Sequence, residues 1–420
     1  MIWKSRSNAA LESALYDAFR RKEWDRVEAL GSMLLRAEPR KPRLRRRVAQ
    51  AFEAQGRFDE MHLVMAEGLD PGLLALVAGA IRQLYRERGI PNGGEAWHLA
   101  PRGACAMCAI EHSTVLPDGA GMFTKVIDPK STRSRRELAF YLRLVKLSSE
   151  LAGVAPRFID YRPLEGSRFG MLTIERIRGR RTRPEDFAAI RDAWTRISRA
   201  SEQVAAAGMP FRRSRSVDRL RRAGLRFLGR RVVGIETAAW LHTRGGSADL
   251  FAACRARLRR DGATPRLRAA AAHFRSLWVE RAAHQWIDPA RDYGLVHGDF
   301  HVGNMLIDED SGRCRVFDWE AYSWAPPSFD LCRLGLVKGF SFDHMLKYIM
   351  HQPQVMKGGG SGLDSPVAPL LLVVLTTARW LLERSTQELD DTLEQTIEPA
   401  LDWLEEHDLN PADKFIRTRK

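Results

Sequence analysis

Cysteine is scarce in this chain: five among 420 residues, an odd number. That count argues against a disulfide-stapled secreted domain and for free thiols in a reducing compartment. Cys105 and Cys108 form a lone C-x-x-C with no second pair of ligands near it, so a zinc site is not expected. Long apolar runs are missing too. The most apolar stretch, residues 367–374 extended to 382, is broken by Arg379. It falls short of the roughly 20 residues a membrane span needs and reads as a buried helix. No charged start leads into an apolar run at the beginning of the chain, so no secretory leader is expected and the cytoplasm is the expected location. Acids are outnumbered, 52 against 67 Lys plus Arg, for a net charge of +15.

Enough is present to fold. Hydrophobic residues make up 45% of the chain, ample for a packed core. The length suggests two or three domains of about 150 residues each. The richest stretch is His297-Gly298-Asp299-Phe300-His301-Val302-Gly303-Asn304, followed by Phe317-Asp318-Trp319-Glu320. Gly298 and Gly303 let the backbone turn tightly around polar side chains. Residues 305–307 read as a short strand, 308–312 as a polar turn and 315–317 as the returning strand. Such a hairpin carries Asp318 back beside Asn304, where an amide oxygen and a carboxylate can share one magnesium ion with substrate phosphates. An acid five positions before the Asn is placed to orient a hydroxyl. This set of groups suits phosphoryl transfer.

The stretch resembles the catalytic loop of the aminoglycoside phosphotransferase and choline kinase families. It matches their H-G-D-x-H-x-x-N pattern, with Phe317-Asp318-Trp319-Glu320 standing where protein kinases carry D-F-G. Ser328-Phe329-Asp330-Leu331 matches the segment that follows. The resemblance spans roughly residues 95–400 and is specific over 295–333. It implies an α+β, two-lobed protein-kinase-like fold, with a small β-rich N-lobe and a large helical C-lobe. It implies ATP and Mg2+ as cofactors. Asp299 would be the catalytic base with His297 and His301 in the same loop, Asn304 and Asp318 metal ligands with Glu320 beside them, and Asp330 the brace of the loop.

Other parts of that fold can be sought upstream. Lys125 lies inside the strand-like run 122–127, where a lone cation needs a partner. Glu137 opens a helical pattern with apolar positions at 138, 141, 142 and 145. By the resemblance, Lys125 would hold phosphates and pair with Glu137; Glu150 is the alternative acid. The glycine-rich phosphate loop is itself a gap. Only Gly103 with small neighbours stands where it belongs, and the turn at 117–121 reads as a strand connection. Residues 170–179 resemble the segment linking the two lobes, in which Glu175 and Ile177 would meet a nucleotide base. The absence of an A-P-E, the D-W-E and the second His speak against a protein Ser/Thr kinase. The weak phosphate loop leaves open a catalytically weak scaffold.

Residues 1–92 carry a different pattern. Trp24-Asp25-Arg26-Val27 and Phe58-Asp59-Glu60-Met61 lie one 34-residue period apart, that of tetratricopeptide repeats. This all-α repeat-like segment is expected to dock a partner or to pack on the kinase-like domain, whose lobes are expected at 93–178 and 179–420. Arginines crowd residues 205–235 among apolar residues, suggesting a basic amphipathic helical insert that suits an anionic membrane. Nucleic acid is not expected as a partner. A cationic protein is also a poor match for polycationic aminoglycosides. A sugar, a lipid-linked or lipopolysaccharide glycan, or an amino alcohol is the expected hydroxyl acceptor.

Overall fold

The computed structural model describes residues 2–38, 41–90, 97–101, 108–207, 265–276, 280, 293–338, 341–344 and 393–406. The basic insert beyond residue 207, the apolar run 367–382, Gly103 and Cys105 lie outside the described residues. The chain divides into two compact units. The first is Met1–Leu142 with Pro156–Arg178; the second is Arg143–Ala155 with Gly179–Lys420.

The first unit opens with helices α1 (Ile2–Arg21), α2 (Trp24–Ala37), α3 (Pro42–Ala54), α4 (Phe58–Ala66) and α5 (Pro71–Glu87). Gly56, at φ +73°, lets the chain leave α3 in the left-handed region. Pro71 starts α5, and the Asp70 carboxylate caps it by accepting from the Leu73 N–H at 2.9 Å. Val77, Ile81 and Leu84 recur at helical spacing on α5 and are fully buried. Burial of each contributes about 1.5–3 kcal/mol.

What these side chains bury against is the sheet that follows. Strands β1 (Trp97–Ala100), β2 (Cys108–Val115), β3 (Gly121–Ile127), β4 (Phe158–Pro163) and β5 (Gly170–Arg176) form one antiparallel sheet in the order β1-β2-β3-β5-β4. Leu99, Ile110, Met122, Val126 and Met171 from four of these strands share one apolar cluster with α3, α4 and α5. Strand β1 is the sheet edge, and its Leu99 N–H is satisfied by His62 Nδ1 of α4 at 3.2 Å. Residues 1–92 are thus contained in one unit with the sheet. Ser131 caps α6 (Thr132–Ala139), which continues through a wide turn at Phe140–Leu144 into α7 (Val145–Leu147) and then α8 (Ser149–Val154).

The second unit holds α7 and α8 together with β6 (Gly179–Arg181), α9 (Phe187–Ala206), α10 (Pro265–Arg275), β7 (Gly294–Val296), β8 (Met305–Asp308), β9 (Cys314–Val316), β10 (Ser323–Ala325), α11 (Ser328–Lys338) and α12 (Glu398–Glu406). Two small sheets, β10-β7 and β6-β8-β9, frame the loop after β7. Helix α9 supports that frame. Its Ser201 hydroxyl accepts from the Leu295 N–H at 2.8 Å, and its Trp194 indole donates to the Pro327 carbonyl at 2.9 Å. A side chain at Gly294 would strike Ser201 Oγ at 2.8 Å, so the approach of helix to strand needs glycine there. Among the described residues, no helix is long and apolar enough to cross a membrane.

Candidate active site

Strand β7 ends in the loop that carries His297, Asp299, His301 and Asn304. A buried carboxylate shapes its start. Asp330, fully buried near the start of α11, accepts from the backbone N–H of His297 at 2.7 Å and of Gly298 at 2.9 Å. Burial pushes its pKa up to about 7, against the pull of those two donors. Gly298 sits at φ +91°, where a side chain would be strained.

His297 is fully buried. Burial lowers its pKa to about 4, so the ring is neutral near pH 7. Its Nε2–H donates to the Phe317 carbonyl at 3.0 Å, and Nδ1 accepts from the Asp299 N–H at 3.2 Å. The ring stands edge-on to Trp319, with centroids 4.6 Å apart. Both nitrogens are occupied, so His297 ties the loop to the strand end that carries Asp318.

Asp299 lies in a ring of donors. Arg333 Nη2 is 3.1 Å from Oδ1, and His301 Nε2 is 3.4 Å from Oδ2. Burial favours the neutral carboxyl, but the His301 hydrogen bond and the Arg333 charge outweigh it and hold Asp299 well below the usual carboxylate range. His301 in turn accepts from the Gly303 N–H through Nδ1 at 3.0 Å. A side chain at Gly303 would meet that ring at 2.7 Å. Asn304 Nδ2 donates to the Asp299 carbonyl at 3.0 Å. The amide is thereby oriented with its oxygen away from Asp299.

The hairpin expected at 305–317 is present as β8 and β9, with Asp308 Oδ1 accepting from the Asp310 and Ser311 N–H groups in the turn. At its end the Phe317 N–H donates to the Asn304 carbonyl at 3.0 Å. Asp318 therefore emerges beside Asn304. It adopts φ 68°, ψ 56°, a left-handed conformation that costs a non-glycine residue about 1–2 kcal/mol. Glu320 follows in the short turn Trp319–Ala321, half-buried.

In the first unit, Lys125 of β3 and Glu137 of α6 are both buried and joined by a 2.7 Å ion pair. Glu150 is engaged elsewhere, with Arg196 at 2.6 Å. The Glu175 N–H donates to the Arg157 carbonyl, and its carboxylate accepts from the Arg157 N–H at 3.0 Å. Ile177 lies half-buried just beyond β5. Arg333 was not foreseen from the sequence. One helical turn after Asp330 on α11, it shares the face that meets the loop, and that i, i+3 spacing is the signal that would have found it.

The sequence profile of the phosphotransferase enzyme family matches residues 117–346, more than half of the chain. The chain belongs to that family. It is a phosphotransferase. No curated protein matches it in sequence. Similar solved structures include a choline/ethanolamine kinase family protein from Mesorhizobium loti, 15% identical over 79% of this chain and 95% of that one, with a TM-score of 0.43. An amicoumacin kinase in complex with AMP-PNP and Ca2+ is 14% identical over 77% of this chain and 96% of that one, at 0.42. An aminoglycoside phosphotransferase from Alicyclobacillus acidocaldarius is 15% identical over 73% and 91%, at 0.41.

Proposed function

We propose that the protein transfers the terminal phosphate of ATP, with Mg2+, to a hydroxyl of a small molecule or glycan. The observation that carries this reading is the ring of donors on Asp299, which keeps an ionised carboxylate at the head of the loop. A carboxylate so stabilised is a weak base. It suits a reaction in which the acceptor hydroxyl must be oriented and gives up its proton as its oxygen bonds to phosphorus and the bond to ADP breaks. Asp299 takes that proton. Arg333 and His301 fix the rotamer that faces the hydroxyl. His297 and Asp330 hold the backbone and have no contact with substrate in this reading.

The residues present fit a divalent cation of the magnesium kind. The Asn304 amide is turned oxygen-outward by its bonds to Asp299, and Asp318 is held beside it in a strained conformation. Asn304 and Asp318 would hold the ion, with Glu320 adjacent. Bound there, it would neutralise phosphate charge. Lys125, fixed by Glu137, would grip nucleotide phosphates. The backbone around Glu175 and Ile177 would meet the base.

A cationic protein favours an anionic or neutral acceptor, a sugar or a lipid-linked or lipopolysaccharide glycan, over an amino alcohol, which carries a positive charge of its own. We read residues 1–92 as a tetratricopeptide-like segment, 93–178 as the N-lobe and 179–420 as the C-lobe of a cytoplasmic enzyme, with the basic insert touching the inner membrane face. A thermal-shift titration tests the nucleotide part. ATP with Mg2+ raises the melting temperature, and ATP alone raises it less. No shift under either condition would sink the reading.

A further inference from the structure

Four buried side chains form a continuous hydrogen-bonded line through the first unit. Tyr85 Oη of α5 lies 2.6 Å from His112 Nδ1 of β2. His112 Nε2 lies 2.9 Å from Thr124 Oγ1 of β3. Thr124 Oγ1 lies 2.8 Å from Thr173 Oγ1 of β5. All four residues are at most 2% exposed. Burial keeps the imidazole neutral, with a pKa lowered to about 3, and raises that of the Tyr85 phenol. A neutral ring accepts at one nitrogen and donates at the other. Either tautomer therefore satisfies the whole line, with the protons running from Tyr85 toward Thr173 or from Thr173 toward Tyr85.

Its position along the strands has a purpose. The β2–β3 ladder is regular from Cys108↔Val126 to Glu111↔Phe123, then shifts register before Val115↔Gly121. His112 is the first residue past the regular part. Where backbone pairing loosens, the imidazole bridges the two strands. On the other side, Thr124 and Thr173 are direct partners in the β3–β5 ladder. Thr124 also immediately precedes Lys125. Neighbours in a strand face opposite sides of the sheet, and a slip by one residue exchanges them. Pinning Thr124 toward α5 thus keeps Lys125 on the opposite side, where it pairs with Glu137.

We propose that Tyr85 and His112 are positioning residues for Lys125, making the N-terminal helical segment a working part of the nucleotide lobe. The phosphate-gripping role of Lys125 rests on the function proposed above; the strand-fixing role of the line does not. Two variants test it. Tyr85→Phe removes one hydroxyl and keeps the ring; Thr124→Val removes another and keeps the β-branch. Val77→Ala, in the same helix and apolar core but outside the line, is the control for general destabilisation.

Two readouts separate the ideas. Hydrogen–deuterium exchange of residues 121–127 and 170–176, without nucleotide, is expected to quicken more in both line variants than in the control, which shares their core. The KM for ATP is expected to rise about tenfold, the scale of one lost buried hydrogen bond, with kcat within about twofold of the parent. Exchange no faster in both variants than in the control overturns the line as a strand-fixing device. Faster exchange with unchanged KM, or an equal KM rise in Val77→Ala, overturns the positioning of Lys125. If the parent protein turns over no ATP, the proposed function fails while the exchange result still decides the strand-fixing role.

Discussion

Asp330→Asn gives an unusually signed prediction. In the folded protein the Asp330 carboxyl has a pKa of about 7, raised by burial from an ordinary value near 3.8. A carboxyl raised in this way binds its proton more tightly folded than unfolded. Its contribution to stability is complete below the unfolded pKa and is lost as pH rises through 7. Each unit is worth about 1.4 kcal/mol, so between pH 5 and pH 8 the parent loses about 3 kcal/mol through this group. Asparagine does not titrate. It keeps one acceptor oxygen for the His297 and Gly298 N–H groups but turns an NH2 toward the other, costing about 1–3 kcal/mol. The variant is therefore less stable than the parent at pH 5, and the gap closes or reverses by pH 8. Urea denaturation of both proteins at the two pH values measures it, since titrations common to both cancel in the difference. A gap that is constant, or that widens with pH, would refute the reasoning and mean that Asp330 works as a stabilised carboxylate.

The remaining predictions concern charge pairs and the metal. Lys125→Ala leaves Glu137 buried without its cation and should destabilise the protein by about 3–5 kcal/mol, whereas Lys125→Met with Glu137→Leu should recover most of that loss in denaturant midpoint. Arg333→Ala frees the Asp299 carboxylate and should lower kcat about 10–100-fold, as loss of a group that orients a catalytic residue does, with the KM for ATP unchanged. Asp318→Ala should abolish the magnesium-dependent part of the ATP thermal shift without raising the melting temperature of the nucleotide-free protein, since alanine keeps the Cβ that makes the left-handed conformation costly.

Local chemistry was the part most legible in the sequence. The turn residues Asp308–Gly312 and the flanking apolar triplets specify a hairpin, and the hairpin alone returns Asp318 to Asn304. A lysine inside an apolar strand demands a partner, and Glu137 is that partner. What stayed hidden depends on tertiary contact. Arg333 reaches Asp299 from a separate helix, and only its i, i+3 spacing from Asp330 hints at that partner. The left-handed backbone at Asp318 is imposed by its neighbours, with no glycine to announce it. The line from Tyr85 to Thr173 joins four ordinary residues spread over one helix and three strands, and only the fold collects them. The apolar cluster shared by α5 and the sheet was equally invisible, because each element's pattern shows that it buries a face without showing against what.

The most direct measurement follows the terminal phosphate itself. The protein, with Mg2+ and ATP radiolabelled at the terminal phosphate, is incubated with separate panels of sugars, glycans and amino alcohols, and the products are separated. A labelled acceptor is expected from the parent protein. No product above background is expected from Asp299→Asn, whose ATP affinity stays within a few-fold of the parent. Equal product from parent and variant would contradict the role given to Asp299 and with it the central claim.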